Sequence, residues 1–285
     1  MRRSLLFIPG NNPAMLQNAD VFDSDAIILD LEDAVHINEK DSARLLVSHY
    51  LHSKLHHDLE VIIRINGLDT PFYNEDLNAV VCDEIDTIML PKAHVSDVLE
   101  LGEMLTQMEK SRSLHNKINI IPIIELASSI LEVNELAKMP RVDGILLGAE
   151  DLSTNVEIER TKTGSEILYP RSCVIYACKA NKIDAIDTPF TDTKDDQGLI
   201  LDCETAKSLG MNAKAAIHPN QIEIINTIFS PSNKNIEWAK RIIEAKKHAE
   251  ENGLGVFSLD GKMVDKPIIE RAINILKKAE KFQLL

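Results

Sequence analysis

The stretch Ala26-Ile-Ile-Leu-Asp-Leu-Glu-Asp33 is an unbroken apolar run that passes directly into acidic residues. Because polar and apolar side chains do not alternate within it, the run is typical of a parallel strand that is buried on both faces. Seven more runs of this kind lie along the chain, and amphipathic helical patterns such as Ser96–Ser111 and Leu168–Asn181 lie between them. The eight runs are Ser4–Pro9, Ala26–Asp33, Val61–Asn66, Thr87–Lys92, Ile118–Glu125, Gly144–Asp151, Ala185–Phe190 and Ala213–Pro219.

Eight strand–helix repeats predict an α/β protein with a closed (β/α)₈ TIM barrel, and 285 residues suit a single barrel. The alternative is an open doubly wound sheet. Such sheets often carry a glycine-rich loop after the first strand, but Pro9-Gly10-Asn11-Asn12 contains one glycine and no GxGxxG pattern. We expect the barrel to span residues 1–230. Residues 231–285 predict a C-terminal helical extension that packs on the barrel or on a neighbouring subunit.

This extension has its own pattern. Ile236–Glu251 is predicted to be a charged helix that is followed by Gly253 and Gly255. Asp260-Gly261 is a turn signal that fits a small hairpin, and a last helix is expected to end near Phe282.

Composition excludes several classes of function. A net charge of −14 argues against nucleic acid and anionic membrane surfaces as partners. The sequence contains no run of about 18 apolar residues, so it predicts no membrane-spanning helix. The apolar run Leu5–Ile8 is shorter than a signal peptide requires. The four cysteines form no CxxC pair, which is typical of reduced thiols. We therefore expect a cytoplasmic protein.

Charged and polar residues lie where the predicted strands end. In a TIM barrel the C-terminal ends of the strands form the active-site face. One charged residue there would indicate a salt bridge at the rim, but buried charges are costly unless they are paired or bound to metal. Seven runs that deliver such residues to one face predict a functional site, and these residues are Glu32 with Asp33, Arg64, Lys92, Glu125, Asp151, Asp187 and His218.

The residue types favour a divalent metal. Carboxylate oxygens are hard ligands that suit Mg²⁺, or Mn²⁺ in its place. Glu125 and Asp151 end neighbouring runs, so we predict that they are the metal ligands. Glu32, Asp33 and Glu150 are further candidates, directly or through water. A hydrogen-bonding role fits His218 better than a ligand role.

Two cationic residues permit different chemistry. The planar fork of Arg64 suits a substrate carboxylate or a developing enolate, although it could equally neutralise Glu32 or Asp33. Lys92 raises the alternative of a Schiff base and a metal-free aldolase. That alternative would leave the carboxylates without a purpose.

Several segments together resemble the citrate lyase β-subunit family, within a wider group of metal-dependent enzymes that act on acyl thioesters. The resemblance covers almost the whole chain in order, including the tail from Gly253 to Ile269. The Glu159-Arg-Thr161 and Thr163-Gly-Ser-Glu166 segments resemble citrate lyase β more than malyl-thioester lyases, whereas Gly210-Met-Asn-Ala-Lys214 departs from the family pattern. The principal segments are Arg3–Gly10, Ile28–Val35, Arg64–Asn66, Leu90–Lys92, Ile124-Glu125, Gly148–Leu152 and Ile217–Gln221.

The resemblance implies a lyase that cleaves a citryl thioester, on an acyl carrier protein or coenzyme A, into oxaloacetate and an acetyl thioester. It implies Mg²⁺ on Glu125 and Asp151, substrate contacts from Arg64 and Glu125, and catalytic roles for Arg64, Asp33 and Asp265. It also implies a homo-oligomer, a trimer or hexamer, in which Asp265 reaches a neighbouring subunit's site to protonate the enolate. Other lyase-complex subunits are expected partners.

Three alternatives to this function stay open at this point. The first is a malyl- or β-methylmalyl-coenzyme A lyase or thioesterase of the same group. The second is a metal-free phosphate-binding barrel, and the third is a structural subunit without turnover. An acidic carrier protein would need a basic patch on this chain for docking. Six basic residues could form such a patch or could be ordinary solvated charges, namely Arg2, Arg3, Lys240, Arg241, Lys246 and Lys247.

Overall fold

Eight parallel strands follow one another in chain order around a closed barrel, and the eighth strand pairs with the first. The computed structural model describes residues 1–53, 59–251 and 257–285. The prediction of a (β/α)₈ barrel is confirmed, and the open sheet is excluded. The strands are β1 (Ser4–Pro9), β2 (Ala26–Asp30), β3 (Glu60–Arg64), β4 (Thr87–Leu90), β5 (Asn119–Ile124), β6 (Gly144–Leu147), β7 (Asp184–Asp187) and β8 (Ala213–Ala216).

Most strands end earlier than the apolar runs predict. The run from Gly144 to Asp151 overshoots most, because β6 ends at Leu147 and the next residues begin a helix. The prediction that Asp151 ends a strand is therefore wrong. Likewise β2 ends at Asp30, and Leu31 to Asp33 belong to the following loop. Several residues beyond the strand ends, among them Glu125, Asp151 and Thr188, line the cavity at this face of the barrel instead.

Helices separate the strands, and the predicted segment Leu168–Asn181 is observed with those bounds. The predicted segment Ser96–Ser111 is one residue longer at each end. The helices are α1 (Pro13–Gln17), α2 (Lys40–Ser53), α3 (Tyr73–Val80), α4 (Val95–Arg112), α5 (Ala127–Leu136), α6 (Ala149–Asn155), α7 (Leu168–Asn181), α8 (Asp196–Leu209), α9 (Ile222–Phe229), α10 (Asn233–Glu251) and α11 (Lys266–Lys281). None of the helices in the described ranges combines the length and apolar character needed to cross a membrane.

The interior of the barrel is filled by every second residue of the strands. Leu5, Ile28, Ile62, Ile123 and Ile186 belong to one buried apolar cluster. The same alternation, continued by one step toward the C-terminal end, points the next interior residue into the mouth of the barrel. This parity decides which polar residues reach the active-site face.

The N-terminal end of the barrel is closed by an ion-pair network around Arg2. Its guanidinium lies 2.6 Å from Glu60, 2.7 Å from Asp143 and 3.0 Å from Asp184, and the side chain is 5% exposed. Arg3 is paired with Asp25 at 2.7 Å. The suggestion that Arg2 is a docking or solvated surface charge is therefore wrong.

The chain divides into two units, Met1–Asn226 and Thr227–Leu285. The second unit contains α10, α11 and an antiparallel hairpin of β9 (Phe257–Leu259) and β10 (Lys262–Val264). Asp260 and Gly261 have φ angles of 52° and 74°, as a two-residue hairpin turn requires. The predicted glycine breaks at Gly253 and Gly255 lie outside the described residues.

Candidate active site

A cavity of about 320 Å³ opens where the barrel strands end. Its polar lining comes from residues that follow or end five different strands. Apolar side chains, among them Phe7, Ile123, Leu146 and Ile217, form the rest of the wall. The polar lining residues are Asp30, Arg64, Glu125, Glu150, Asp151 and Thr188.

Arg64 is held rigidly at the base of this cavity. Its Nε and Nη2 donate to the two carboxylate oxygens of Asp30 at 2.7 and 2.6 Å, and Nη1 lies 3.1 Å from Glu32 Oε2. The guanidinium carbon stacks 4.9 Å from the centre of the Phe7 ring. Burial alone would lower the pKa of Arg64, but the carboxylates of Asp30, Glu32 and Asp33 raise it above its ordinary value. Arg64 is therefore a fixed, permanent cation.

Glu125 is a buried carboxyl in a confined position. Its Oε1 accepts a hydrogen bond of 2.6 Å from the backbone N–H of Lys92, whose left-handed φ of 48° directs that group toward it. A Cβ on Gly148 would lie 2.8 Å from Glu125 Oε2, so only glycine leaves room for the carboxylate. The pKa of Glu125 is raised to about 8, because burial and then the charges of Asp151 and Glu32 raise it more than the hydrogen bond from Lys92 lowers it.

Asp151 lies in the first turn of α6 and lines the same cavity as Glu125. The two predicted ligands are thus brought together, although helix α6 rather than a strand carries Asp151. Glu150 also lines the cavity, but Arg160 Nε is 3.0 Å from its carboxylate.

These two carboxylates fit a hard divalent cation. Glu125 is crowded by negative neighbours, and among the described residues its Oε2 accepts no hydrogen bond, so a cation there would satisfy both the charge and the oxygen. Within the described ranges, no group of three or more His, Cys, Asp and Glu side chains is arranged as a metal site. Two carboxylates with the remaining positions left for water and substrate are what Mg²⁺ commonly uses.

Asp30 and Glu32 form the acidic side of the site beside Arg64. Asp30 accepts from the backbone N–H groups of Glu32 and Ala34 at 2.9 and 3.2 Å, which shapes the loop after β2. The pKa of Glu32 is raised to about 7, because burial and the charge of Asp33 raise it more than Arg64 lowers it. Asp33 itself is exposed and is not among the lining residues, but its backbone N–H donates to Glu32 Oε2 at 3.1 Å.

Lys92 does not have the environment of a Schiff-base lysine. Its ammonium lies 3.9 Å from Glu32 and is 47% exposed. Burial lowers its pKa, but the surrounding carboxylates, Glu32 first among them, raise the pKa above the ordinary value overall. A nucleophilic lysine needs the opposite shift, so the metal-free alternative loses its support.

Two predicted site residues point elsewhere. Asp187 is fully buried and pairs with Arg171 and Lys214, while its neighbour Thr188 lines the cavity. His218 is exposed, with Nδ1 2.7 Å from Asn220 Oδ1.

Asp265 belongs to the second unit and caps α11, where its side chain accepts from the backbone N–H of Ile268. This is the usual role of an aspartate at the N-cap of a helix, and Pro267 lies in the first turn of α11.

Asp30 and Thr188 are site residues that the sequence interpretation missed. The available signal was the two-residue alternation of the strands. Counting in steps of two from interior residues such as Ile28 and Ile186 reaches Asp30 and Thr188, not Asp33 and Asp187.

Comparisons with known proteins agree with this architecture. The profile of the HpcH/HpaI aldolase/citrate lyase family matches residues 3–219. Citrate lyase subunit beta of Haemophilus influenzae is 41% identical, over 98% of this chain and 97% of that protein. The human mitochondrial citramalyl-CoA lyase is 30% identical, over 96% of this chain and 84% of that protein.

Two solved structures from Mycobacterium tuberculosis are similar as well. CitE in complex with magnesium, acetoacetate and coenzyme A has a TM-score of 0.78 and 27% identity, over 98% of both chains. A citrate lyase beta subunit complexed with oxaloacetate and magnesium has a TM-score of 0.68 and 27% identity, over 81% of this chain and 97% of that one.

Proposed function

The chain belongs to the HpcH/HpaI aldolase/citrate lyase family, and on that premise we propose that it is a Mg²⁺-dependent lyase that cleaves a citryl thioester into oxaloacetate and an acetyl thioester. The observation that carries the proposal is one cavity in which Glu125 and Asp151 accompany a fixed Arg64. Relatives named citrate lyase subunit beta, and a structural relative with bound oxaloacetate and magnesium, support it.

Glu125 and Asp151 would hold the ion. Bound Mg²⁺ supplies Lewis-acid polarisation of hydroxyl and carboxylate oxygens. Glu125 is also proposed to contact the oxaloacetate portion of the substrate. The apolar wall excludes water from the reacting carbons.

Arg64 is the residue placed to stabilise negative charge. When the hydroxyl proton is removed and the carbon–carbon bond breaks, the electron pair moves into the thioester enolate. A donor that is fixed in advance stabilises such charge without reorganisation. Arg64 is fixed in this way, because it donates to both oxygens of Asp30 and pairs with Glu32. A carboxylate beside the cavity takes the hydroxyl proton, and Glu32 is suited to this because its pKa is raised to about 7.

The roles of Asp33 and Asp265 remain part of the proposal. The backbone N–H of Asp33 donates to Glu32, and this contact does not depend on the Asp33 side chain. Replacing that side chain therefore tests a catalytic role of the Asp33 carboxylate without removing the contact. Asp265 is proposed to protonate the enolate carbon in the site of a neighbouring subunit of a homotrimer or larger assembly. Mixing inactive Arg64→Ala and Asp265→Ala proteins should then restore activity, and no recovery after reassembly would reject a shared site.

The thioester carrier is proposed to be an acyl carrier protein within a lyase complex, with coenzyme A as the simpler alternative. The second unit holds eleven of the 31 Lys and Arg residues but only eight of the 45 Asp and Glu residues, so it is net positive in an acidic chain. An acidic carrier would favour that unit. Replacing Lys246 and Lys247 by glutamate should raise KM for the carrier-bound substrate and leave KM for the coenzyme A thioester unchanged.

A cytoplasmic location is proposed from the thiols. Cys82, Cys173, Cys178 and Cys203 are all free, which fits a reducing compartment.

The direct test is oxaloacetate formation from citryl-coenzyme A by the purified protein, with Mg²⁺ and then with EDTA. Activity that EDTA removes and Mg²⁺ restores is the expected result. Glu125→Gln should abolish it, whereas Glu135→Gln, an exposed carboxylate paired with Lys138, should not change it.

Citramalyl- or malyl-coenzyme A is the second candidate substrate, and the 30% identity to citramalyl-CoA lyase supports it. Pyruvate or glyoxylate release from these thioesters, without oxaloacetate from citryl-coenzyme A, would replace the citryl assignment.

A further inference from the structure

Helix α6, which carries the proposed metal ligand Asp151, begins without a cap of its own. The N-cap position is Gly148, which has no side chain to accept a hydrogen bond from the first turn. Gly148 cannot be exchanged for a capping residue such as serine or aspartate, because a Cβ there would lie 2.8 Å from Glu125 Oε2 and 2.9 Å from Ile123. The space that Glu125 occupies therefore removes the usual cap from the neighbouring helix.

A residue that follows the next strand supplies the missing acceptor. Thr188, which comes directly after β7, accepts a hydrogen bond from the backbone N–H of Ala149 at 3.2 Å. Ala149 is the first residue of α6 and lies two positions before Asp151. Thr188 is fully buried and lines the cavity with Ala149 and Asp151.

Thr188 is held in turn by a buried ammonium. Lys214 donates 2.6 Å hydrogen bonds to the Thr188 carbonyl oxygen, to Asp187 and to Asp202. Arg171 binds the same two aspartates, with 2.9 and 3.0 Å bonds to Asp187 and a 2.5 Å bond to Asp202. The network lies on the outer side of β7 and β8, because Ile186 and Ala215 point into the barrel.

From these contacts we infer that Thr188 is a positioning residue for the metal site: its hydroxyl accepts from the first N–H of α6, where Gly148 offers no side-chain acceptor, and so sets the position of Asp151 in the cavity that Glu125 also lines. Lys214 fixes the peptide that carries the hydroxyl. This inference rests on the proposed function, because it assumes that Glu125 and Asp151 bind a divalent cation. Hydrogen-bond partners that orient metal ligands commonly change metal affinity by about 10- to 100-fold when removed.

The test is the dissociation constant of Mn²⁺, measured by electron paramagnetic resonance without substrate, for the whole protein and three variants. Thr188→Val removes the hydroxyl while conserving shape, and Thr188→Ser restores it. Thr87→Val is the matched control, because Thr87 is a buried β4 threonine whose hydroxyl has no hydrogen-bond partner among the described residues. We expect Thr188→Val to weaken Mn²⁺ binding at least about tenfold, with Thr188→Ser and Thr87→Val close to the unaltered protein.

A second readout separates positioning from a loss of structure. Thr188→Val should require more Mg²⁺ for half-maximal activity and recover its kcat at saturating Mg²⁺, which a merely destabilised barrel would not do. Equal Mn²⁺ affinity in Thr188→Val and the unaltered protein would overturn the inference and leave the proposed metal site intact. Absence of Mn²⁺ binding by the unaltered protein would overturn both. If Thr188→Val does not fold, Thr188→Ala removes the same hydrogen bond with a smaller side chain and decides by the same measurement.

Discussion

Replacing Glu125 by glutamine should make the metal-free protein more stable at alkaline pH while it abolishes metal binding. Burial raises the pKa of Glu125 to about 8 in the folded protein, whereas an unfolded glutamate titrates near 4.3. Between these values the folded state holds a proton that the unfolded state has lost. Stability of the metal-free protein therefore falls as pH rises through this window, and glutamine, which cannot ionise, removes that loss.

The size of the effect follows from the same two pKa values. Each pH unit between them corresponds to about 1.4 kcal/mol, which gives an upper limit of about 4 to 5 kcal/mol at pH 8. Relaxation and water entry reduce the cost of a buried charge, so we expect about 2 kcal/mol. In a chain of this size that is a Tm increase of about 4–8 °C.

The assay is thermal unfolding in EDTA at pH 6 and at pH 9. Glu125→Gln should exceed the unaltered protein in Tm by less at pH 6, where only part of this loss of stability has occurred, than at pH 9, where the loss is complete. The exposed Glu135→Gln variant should show no pH-dependent difference. A Tm difference that is the same at both pH values would refute the reasoning. Added Mg²⁺ should reverse the order at pH 9, because a ligand at about 100 times its Kd stabilises by about 2.7 kcal/mol and the variant should lack the site.

Three further substitutions test other contacts. Gly148→Ala should weaken Mn²⁺ binding at least about tenfold in a titration, because its Cβ would meet the Glu125 carboxylate at 2.8 Å; unchanged affinity would contradict the confined site. Arg64→Lys should lower kcat about 10²- to 10³-fold with little change in Mn²⁺ affinity, because lysine cannot form the two-point pair with Asp30; a change confined to metal affinity would argue against charge stabilisation. Lys214→Met should lower the free energy of unfolding in urea by about 3–5 kcal/mol, since it leaves two buried carboxylates with Arg171 as the cation that pairs with both. A loss below about 1 kcal/mol would show that the network is not ionised.

The sequence was sufficient to predict the fold, but it did not predict every residue of the candidate site. Eight buried apolar runs predict eight parallel strands because only a strand covered on both faces needs so little polar alternation. The runs do not show where hydrogen bonding ends, so Asp151 was predicted on a strand and lies on α6. They also do not show which face a charged residue takes.

The facing of each residue is decided by the two-residue repeat of the strands. Glu125 and Arg64 lie in phase with interior residues and reach the cavity, whereas Asp187 lies out of phase and joins the outer ion network. The buried ion-pair network around Arg2 was not predicted, because the three carboxylate partners of Arg2 come from distant segments that meet only when the barrel closes. Sequence spacing carries no information on such contacts.

The charge at the mouth of the barrel explains why a divalent ion suits this site better than a further basic residue would. Among the described residues, five carboxyl groups lie in or beside the cavity together with three cationic side chains, namely Asp30, Glu32, Glu125, Glu150 and Asp151 with Arg64, Lys92 and Arg160. Arg64 is already bound to two carboxylates, Arg160 pairs with Glu150, and Lys92 is half-exposed, so none of the three pairs with Glu125 or Asp151. Without metal the site reduces its repulsion by holding protons, as the raised pKa values of Glu125 and Glu32 indicate. A Mg²⁺ ion would supply the two missing positive charges at the point where the oxygens of Glu125 and Asp151 are available. The same excess of acid that we expect to lower the stability of the metal-free barrel would therefore favour a divalent cation at the proposed site.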